Sequence, residues 1–215
     1  MSQRPVFVPC RRAPYTDVFM TEFVWNSGLS SAQKKKNVAA LHQAFSSRFP
    51  HRPVLEISSK SQEELGIKLS AFHLTKYVPS LDRRISVECI FQGSKVFAAG
   101  GPYSDLLPGT SRDAKKDPRL HNSGELRGFR FEGRDFPLQP VTAFYDWLYI
   151  QALMEQPELA EGLLAYDAFT DIEFNPNKSK NCQANAAALY VSLARQGLLE
   201  QCREFDSFVG LVSGK

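Results

Sequence analysis

The sequence predicts an α+β protein in which helices predominate: one domain with short strands, preceded by a β-containing extension over residues 1–60. Three observations carry this. Strand-like runs rich in β-branched and aromatic residues gather near the N-terminus. Longer segments of helical period, punctuated by Gly and Pro, fill much of the rest. A chain of 215 residues with 43% hydrophobic residues, 16 Phe and 7 Tyr can bury one sizeable core.

In chain order, "RPVFVP" and "DVFMTEFVW" read as strands, the second with partial alternation. "SGLSSAQKKKNVAALHQAFSSRF" reads as a helix capped by Ser30 or Ser31, with Val38, Leu41, His42 and Phe45 on its apolar side. "PVLEISS" is a short strand, and "SQEELG" a turn of helix opened by a capping box from Ser61 to Glu64. In "KLSAFHLTKYVPSLDRRISVECIF" a strand pair joined near Pro79–Arg84 leads into a helix carrying Glu88 and Lys95, which "AAGGPYSD" stops. "SRDAKKDPRL" is a short basic helix halted before Pro118, and "GELRGFRFEGRDFPL" a hairpin turning near Gly133. "VTAFYDWLYIQALME" and "PELAEGLLAYDAF" are helices meeting near Pro157. "TDIEFNP" is a strand or extended loop, and "NCQANAAALYVSLARQGLL" a last long helix.

A net charge of +3 admits a polyanionic ligand without requiring one. No apolar run nears the roughly 20 residues of a membrane span, and charge and proline interrupt the N-terminal "MSQRPVFVPCRRAP", so a cytoplasmic protein is expected. Cys10, Cys89, Cys182 and Cys202 lie far apart without metal-ligand spacing, which points to free thiols and no metal site.

The informative polar groups are few. Glu88, Gln92 and Lys95 stand four and three residues apart among Ile90, Phe91, Val96 and Phe97. On a helix they make one stripe, with Glu88 and Lys95 about 10 Å apart along the axis. Such a stripe is either a solvated face or two groups flanking something. If buried, the lysine loses its proton readily and becomes a nucleophile. In "FTDIEFNPNKSKNCQA", Asp171 and Glu173 would share one face of an extended segment, as a solvent edge or as a site wall holding sugar hydroxyls or a water. Arg112, Lys115 and Arg119 fit phosphates at helical spacing, or a wet surface. In "AFYDWLYI", Tyr145, Trp147 and Tyr149 belong to a helix that reads mainly as core, with one ring at most meeting a ligand.

The order of these pieces resembles the NADAR family. "LSAFH" is similar to that family's Leu-Ser-Asn-Phe-Tyr, and "VECIFQGSKVF" to its Val-Glu…Phe-Gln-x-x-Lys-Phe helix. "SRDAKKDPRL" is similar to its Ala-Lys-x-x-Gly-Arg stretch, and "YDAFTDIEFNPNKS" to its late Leu-x-Glu-x-Asn segment. The match spans roughly residues 66–200 and looks closest to the branch encoded beside DarT-type toxins. Ala71 stands for the usual Asn, Asp117-Pro118-Arg119 for the Gly-Arg step, and residues 1–60 have no counterpart in short members.

The resemblance implies a NADAR-type domain over residues 61–215, with residues 1–60 packed on it. It implies an N-glycosidase that removes ADP-ribose from guanine in DNA, an antitoxin to a DarT-type ADP-ribosyltransferase. Lys95 would attack the anomeric carbon and form an imine while Glu88 moves protons. Gln92 would orient one of them. Ser70, Phe72, Arg112, Lys115, Arg119, Trp147, Asp171, Glu173 and Asn175 would bind substrate. ADP-ribosylated DNA or nucleotide, the ADP-ribose product and a DarT-type toxin are the implied partners, with no cofactor and no membrane. Three rivals predict otherwise: cleavage of small phosphorylated metabolites of the riboflavin-pathway type, toxin neutralisation by binding alone, and plain nucleic-acid binding.

Overall fold

In the computed structural model, which describes residues 1–214, three small sheets and a set of mostly short helices share one body. Helix accounts for 42% and strand for 20%, so the α+β expectation stands while the helical share is smaller than expected. The strands are β1 (Ser2–Pro9), β2 (Thr16–Phe23), β3 (Val54–Glu56), β4 (Thr75–Val78), β5 (Arg83–Ser86), β6 (Lys95–Phe97), β7 (Leu126–Phe131), β8 (Arg134–Phe136) and β9 (Ala168–Thr170). The helices are α1 (Ser31–Arg48), α2 (Glu64–Lys68), α3 (Val87–Gly93), α4 (Ser111–Lys116), α5 (Arg119–Asn122), α6 (Ala143–Met154), α7 (Pro157–Leu163), α8 (Gln183–Arg195) and α9 (Phe205–Val212).

The main sheet runs β2-β1-β9-β3, with β1 antiparallel to β2 and β9, and β3 parallel to β9. Alternation divides its side chains between two cores. Val6, Val8 and Ala168 pack with Val38, Leu41 and Phe45 of α1. Phe7, Leu55 and Phe169 point the other way, into the large core that holds α6 and α8. Residues 1–60 are thus woven into the sheet through β9, which lies between β1 and β3.

Local chemistry explains most element ends. Ser30 accepts the Gln33 N–H at 3.2 Å and caps α1, as expected. The β7–β8 hairpin turns through Glu132 and Gly133 at φ 47° and 75°, the pair of left-handed residues a tight two-residue hairpin requires. Helix α6 is buried nearly all round, consistent with its uniformly apolar sequence. Among the described residues, no helix is long and apolar enough to cross a membrane.

Several expectations are corrected. Ser61 accepts the Glu63 N–H instead of forming a capping box, and α2 begins at Glu64. Helix α7 ends at Leu163, because Ala168–Thr170 is needed as the strand between β1 and β3. The extended stretch stops at Thr170, and residues 171 onward turn. The helix α9, whose "FDSFVGLV" seats Phe205 and Phe208 in the core, was not expected.

The correction that matters most concerns α3. Ser86 caps it by accepting the Cys89 N–H at 3.2 Å, and every residue from Val87 to Gly93 is buried. The helix ends at Gly93, where a Cβ would run into the Leu107 side chain and crowd the Tyr103 carbonyl. Lys95 is therefore not the third member of a helical stripe but the first residue of β6, opposite Phe129 of β7. The Arg130 N–H donates to the Ser94 carbonyl at 2.7 Å and pins this corner.

Candidate active site

A single cavity of about 600 Å³ gathers most of the polar residues singled out from the sequence. Its floor is the end of α3 and the start of β6. Gln92 donates its Nε2 to Glu88 Oε1 at 2.9 Å and accepts from Lys95 Nζ at its Oε1, at 2.6 Å. The amide is thereby locked in one orientation between the acid and the amine. Glu88 and Gln92 are buried, 5% and 7% exposed. The Glu88 N–H also donates to the Ala71 carbonyl at 2.9 Å, which ties the floor to the "LSAFH" loop.

Burial sets the chemistry of Lys95. Its Nζ lies 4.8 Å from the Phe91 ring centre. Desolvation lowers its pKa to about 8; the Glu88 charge acts against that, and the Lys115 charge adds to it. Lys115, on α4, reaches Glu88 Oε1 at 3.6 Å and lies 5.1 Å from the Phe72 ring centre.

One wall comes from the turn after β9. Asp171 is 8% exposed and accepts from Gln183 Nε2 and from the Glu173 N–H, each at 3.0 Å. Gln183 accepts the Ala71 N–H at its Oε1, at 2.7 Å, so its amide is also fixed. Desolvation raises the Asp171 pKa, and the nearby Glu56 carboxylate adds to this. Burial likewise raises Glu56, although Ser58 Oγ, Thr170 Oγ1 and the Ile172 N–H all donate to it. Glu173 pairs with Lys34 of α1 at 3.4 Å. Asn175 accepts the Asn177 N–H at 3.0 Å and also lines the cavity.

Of the expected site residues, Glu88, Gln92, Lys95, Ser70, Phe72, Arg112, Lys115, Asp171, Glu173 and Asn175 line this cavity. The Ser70 hydroxyl is engaged in its own loop, with Ile67 O at 2.7 Å and His73 Nδ1 at 2.8 Å. Arg119 and Trp147 stand elsewhere. Pro118 breaks the helical spacing, so Arg119 begins α5, where it binds Asp105 and Asp117 and lies over the Tyr103 ring. Trp147 packs on Phe136 and Phe205 and donates its Nε1 to the Cys202 carbonyl at 3.0 Å.

Sequence reasoning missed other lining groups. Ser58, Ser59 and Lys60 follow β3, and no local signal marks them. Lys178, Ser179 and Asn181 lie in the polar stretch after Asp171, where the charge density was a usable signal. Lys60, Arg112 and Lys178 line the cavity with no carboxylate partner among the described residues. Such a set of free cations suits an anionic ligand. Among the described residues, no group of three or more His, Cys, Asp or Glu side chains is placed to hold a metal ion.

Fold and cavity together define an α+β protein with a desolvated lysine, coupled to a glutamate through an amide, facing a cation-bearing pocket. Over residues 2–215 the sequence matches the profile of DarT1-associated NADAR antitoxins, and the chain belongs to that family. Comparison with curated proteins finds no match.

Proposed function

We propose that the chain is an N-glycosidase that removes ADP-ribose from ADP-ribosylated guanine in DNA, and that it acts in the cytoplasm as antitoxin to a DarT-type ADP-ribosyltransferase. The observation that carries this reading is the hydrogen-bonded row Lys95–Gln92–Glu88 in the cavity floor, with the amine held at about 8. At pH 7.5 about a quarter of such amines are unprotonated, against about one in a thousand for a solvated lysine. That is the state in which an amine attacks carbon.

The sugar would lie over Lys95 and Glu88. As its ring opens, the C1–O bond breaks and the base nitrogen forms a double bond to C1. A proton carried by Glu88 moves to the former ring oxygen. Neutral Lys95 then adds to C1, its surplus proton passes to the base nitrogen, and the base leaves with that proton. Water, deprotonated by Glu88, hydrolyses the resulting imine and releases ADP-ribose. Asp171 would hold sugar hydroxyls. Lys60, Arg112, Lys115 and Lys178 would face the diphosphate, a role for which Arg119 is already tied to two carboxylates.

The test is to incubate the protein with DNA carrying ADP-ribosylated guanine, add borohydride, and look for ADP-ribose fixed to Lys95. Free ribosylamine phosphates serve as the comparison substrate. Lys95→Ala and Lys95→Arg should both abolish turnover, since a guanidinium stays charged. Full turnover by Lys95→Ala with no adduct in the wild type removes the imine mechanism. Preference for the small phosphates would replace the DNA assignment.

A further inference from the structure

Tyr145 also lines the cavity, although its residue on α6 is 5% exposed and most of that helix is core. Its ring is held edge-on to Phe91, with centres 5.0 Å apart and planes at 84°. Its hydroxyl makes no hydrogen bond among the described residues. One turn along the same helix, Tyr149 is different: its hydroxyl donates to the Leu69 carbonyl at 2.7 Å. The Tyr145 hydroxyl is not among the fully buried polar atoms that lack a partner, so it opens onto the cavity and is free to donate to whatever fills it. Burial, and the Glu88 and Asp171 charges nearby, raise the Tyr145 pKa well above the usual phenol value, so the group remains a donor.

The surroundings say what it would donate to. Glu88 is the proton carrier of the steps above, and the Asp171 carboxyl beside it offers oxygens to sugar hydroxyls. The amides of Gln92 and Gln183 already donate to those two carboxylates. A sugar ring oxygen has two lone pairs and no proton, so beside the proton it takes from Glu88 it can accept one further hydrogen bond. We propose that Tyr145 is a further catalytic residue whose hydroxyl hydrogen-bonds the ring oxygen of the bound sugar and steadies the negative charge that develops there as the C1–O bond breaks. Tyr145 keeps its own proton throughout; the electron pair goes to the ring oxygen, and the proton that ends on it comes from Glu88. This rests on the N-glycosidase reading above.

The experiment compares wild type, Lys95→Ala, Tyr145→Phe and Tyr149→Phe on DNA carrying ADP-ribosylated guanine. Loss of one donor aimed at a developing oxyanion lowers kcat about 10²- to 10³-fold. Tyr145→Phe should show that loss, with KM changed less than about threefold and thermal stability not reduced. Tyr149→Phe should instead lower stability and leave kcat nearly intact. If wild type is active and Lys95→Ala dead, yet Tyr145→Phe keeps kcat within about threefold, the role of Tyr145 is overturned and the lysine mechanism survives. A loss confined to KM, or matched by a fall in stability, overturns it equally. An inactive wild type overturns the glycosidase reading itself, and this inference with it.

Discussion

Replacing Lys95 by Met tests the claim that the cavity holds a desolvated amine, without reference to any substrate. The folded value of about 8 lies well below the 10.5 of a solvated lysine. At 1.36 kcal/mol per pH unit, that difference is worth about 3 kcal/mol. Its sign follows from proton counting. Well below pH 8 the amine is charged in both states, and burial of the charge lowers stability by the full amount. Between pH 8 and 10.5 the unfolded chain binds the proton that the folded protein has released, so stability rises with pH. Methionine removes the titration and roughly conserves volume. It also leaves Gln92 Oε1 without its donor, a loss of about 1–3 kcal/mol that does not depend on pH. The informative quantity is therefore the difference between two unfolding curves. Urea denaturation of wild type and Lys95→Met at pH 7.5 and 10.5 should show wild type gaining about 3 kcal/mol relative to the variant. Parallel pH profiles would mean that Lys95 is solvated when folded, and the nucleophile argument would go with it.

Other perturbations separate ligand contacts from structure. Lys60→Ala and Arg112→Ala should each weaken ADP-ribose binding about tenfold by calorimetry, the loss of one charge-assisted contact, whereas Arg119→Ala should leave the affinity unchanged. Trp147→Ala removes a ring packed against both Phe136 and Phe205 and should lower stability by about 3–5 kcal/mol in denaturant melts. Gly66→Ala drives a Cβ into the Glu56 carbonyl and the Ser61 side chain; a loss of at least about 1–3 kcal/mol is expected on thermal unfolding.

How much of the site could be read from the sequence depended on how local each placement is. Glu88 and Gln92 are four residues apart on a capped helix, and that spacing alone puts their side chains together. The polar run after Thr170 stood out by composition, and it does form a wall of the cavity. The same local logic misplaced Lys95, because continuing the helix period past Gly93 ignores the strand β7 that recruits Lys95–Phe97. It also grouped Arg119 with Arg112 and Lys115, whereas Asp105 and Asp117 draw that guanidinium away.

The sequence by itself determined the α+β class, most element positions, a helix cap at Ser30 or Ser31, a hairpin turn near Gly133 and the family. Those depend on propensities and patterns that act within a few residues. Tertiary structure alone decided that Lys60 lines the same cavity as Lys95. The parallel pairing of Leu55 with Phe169 brings a segment near the N-terminus to the turn that carries Asp171. It also decided which polar groups are dry. Desolvation, which moves Lys95 down and Asp171 up, comes from layers packed over them by distant parts of the chain, and no window of sequence contains that information.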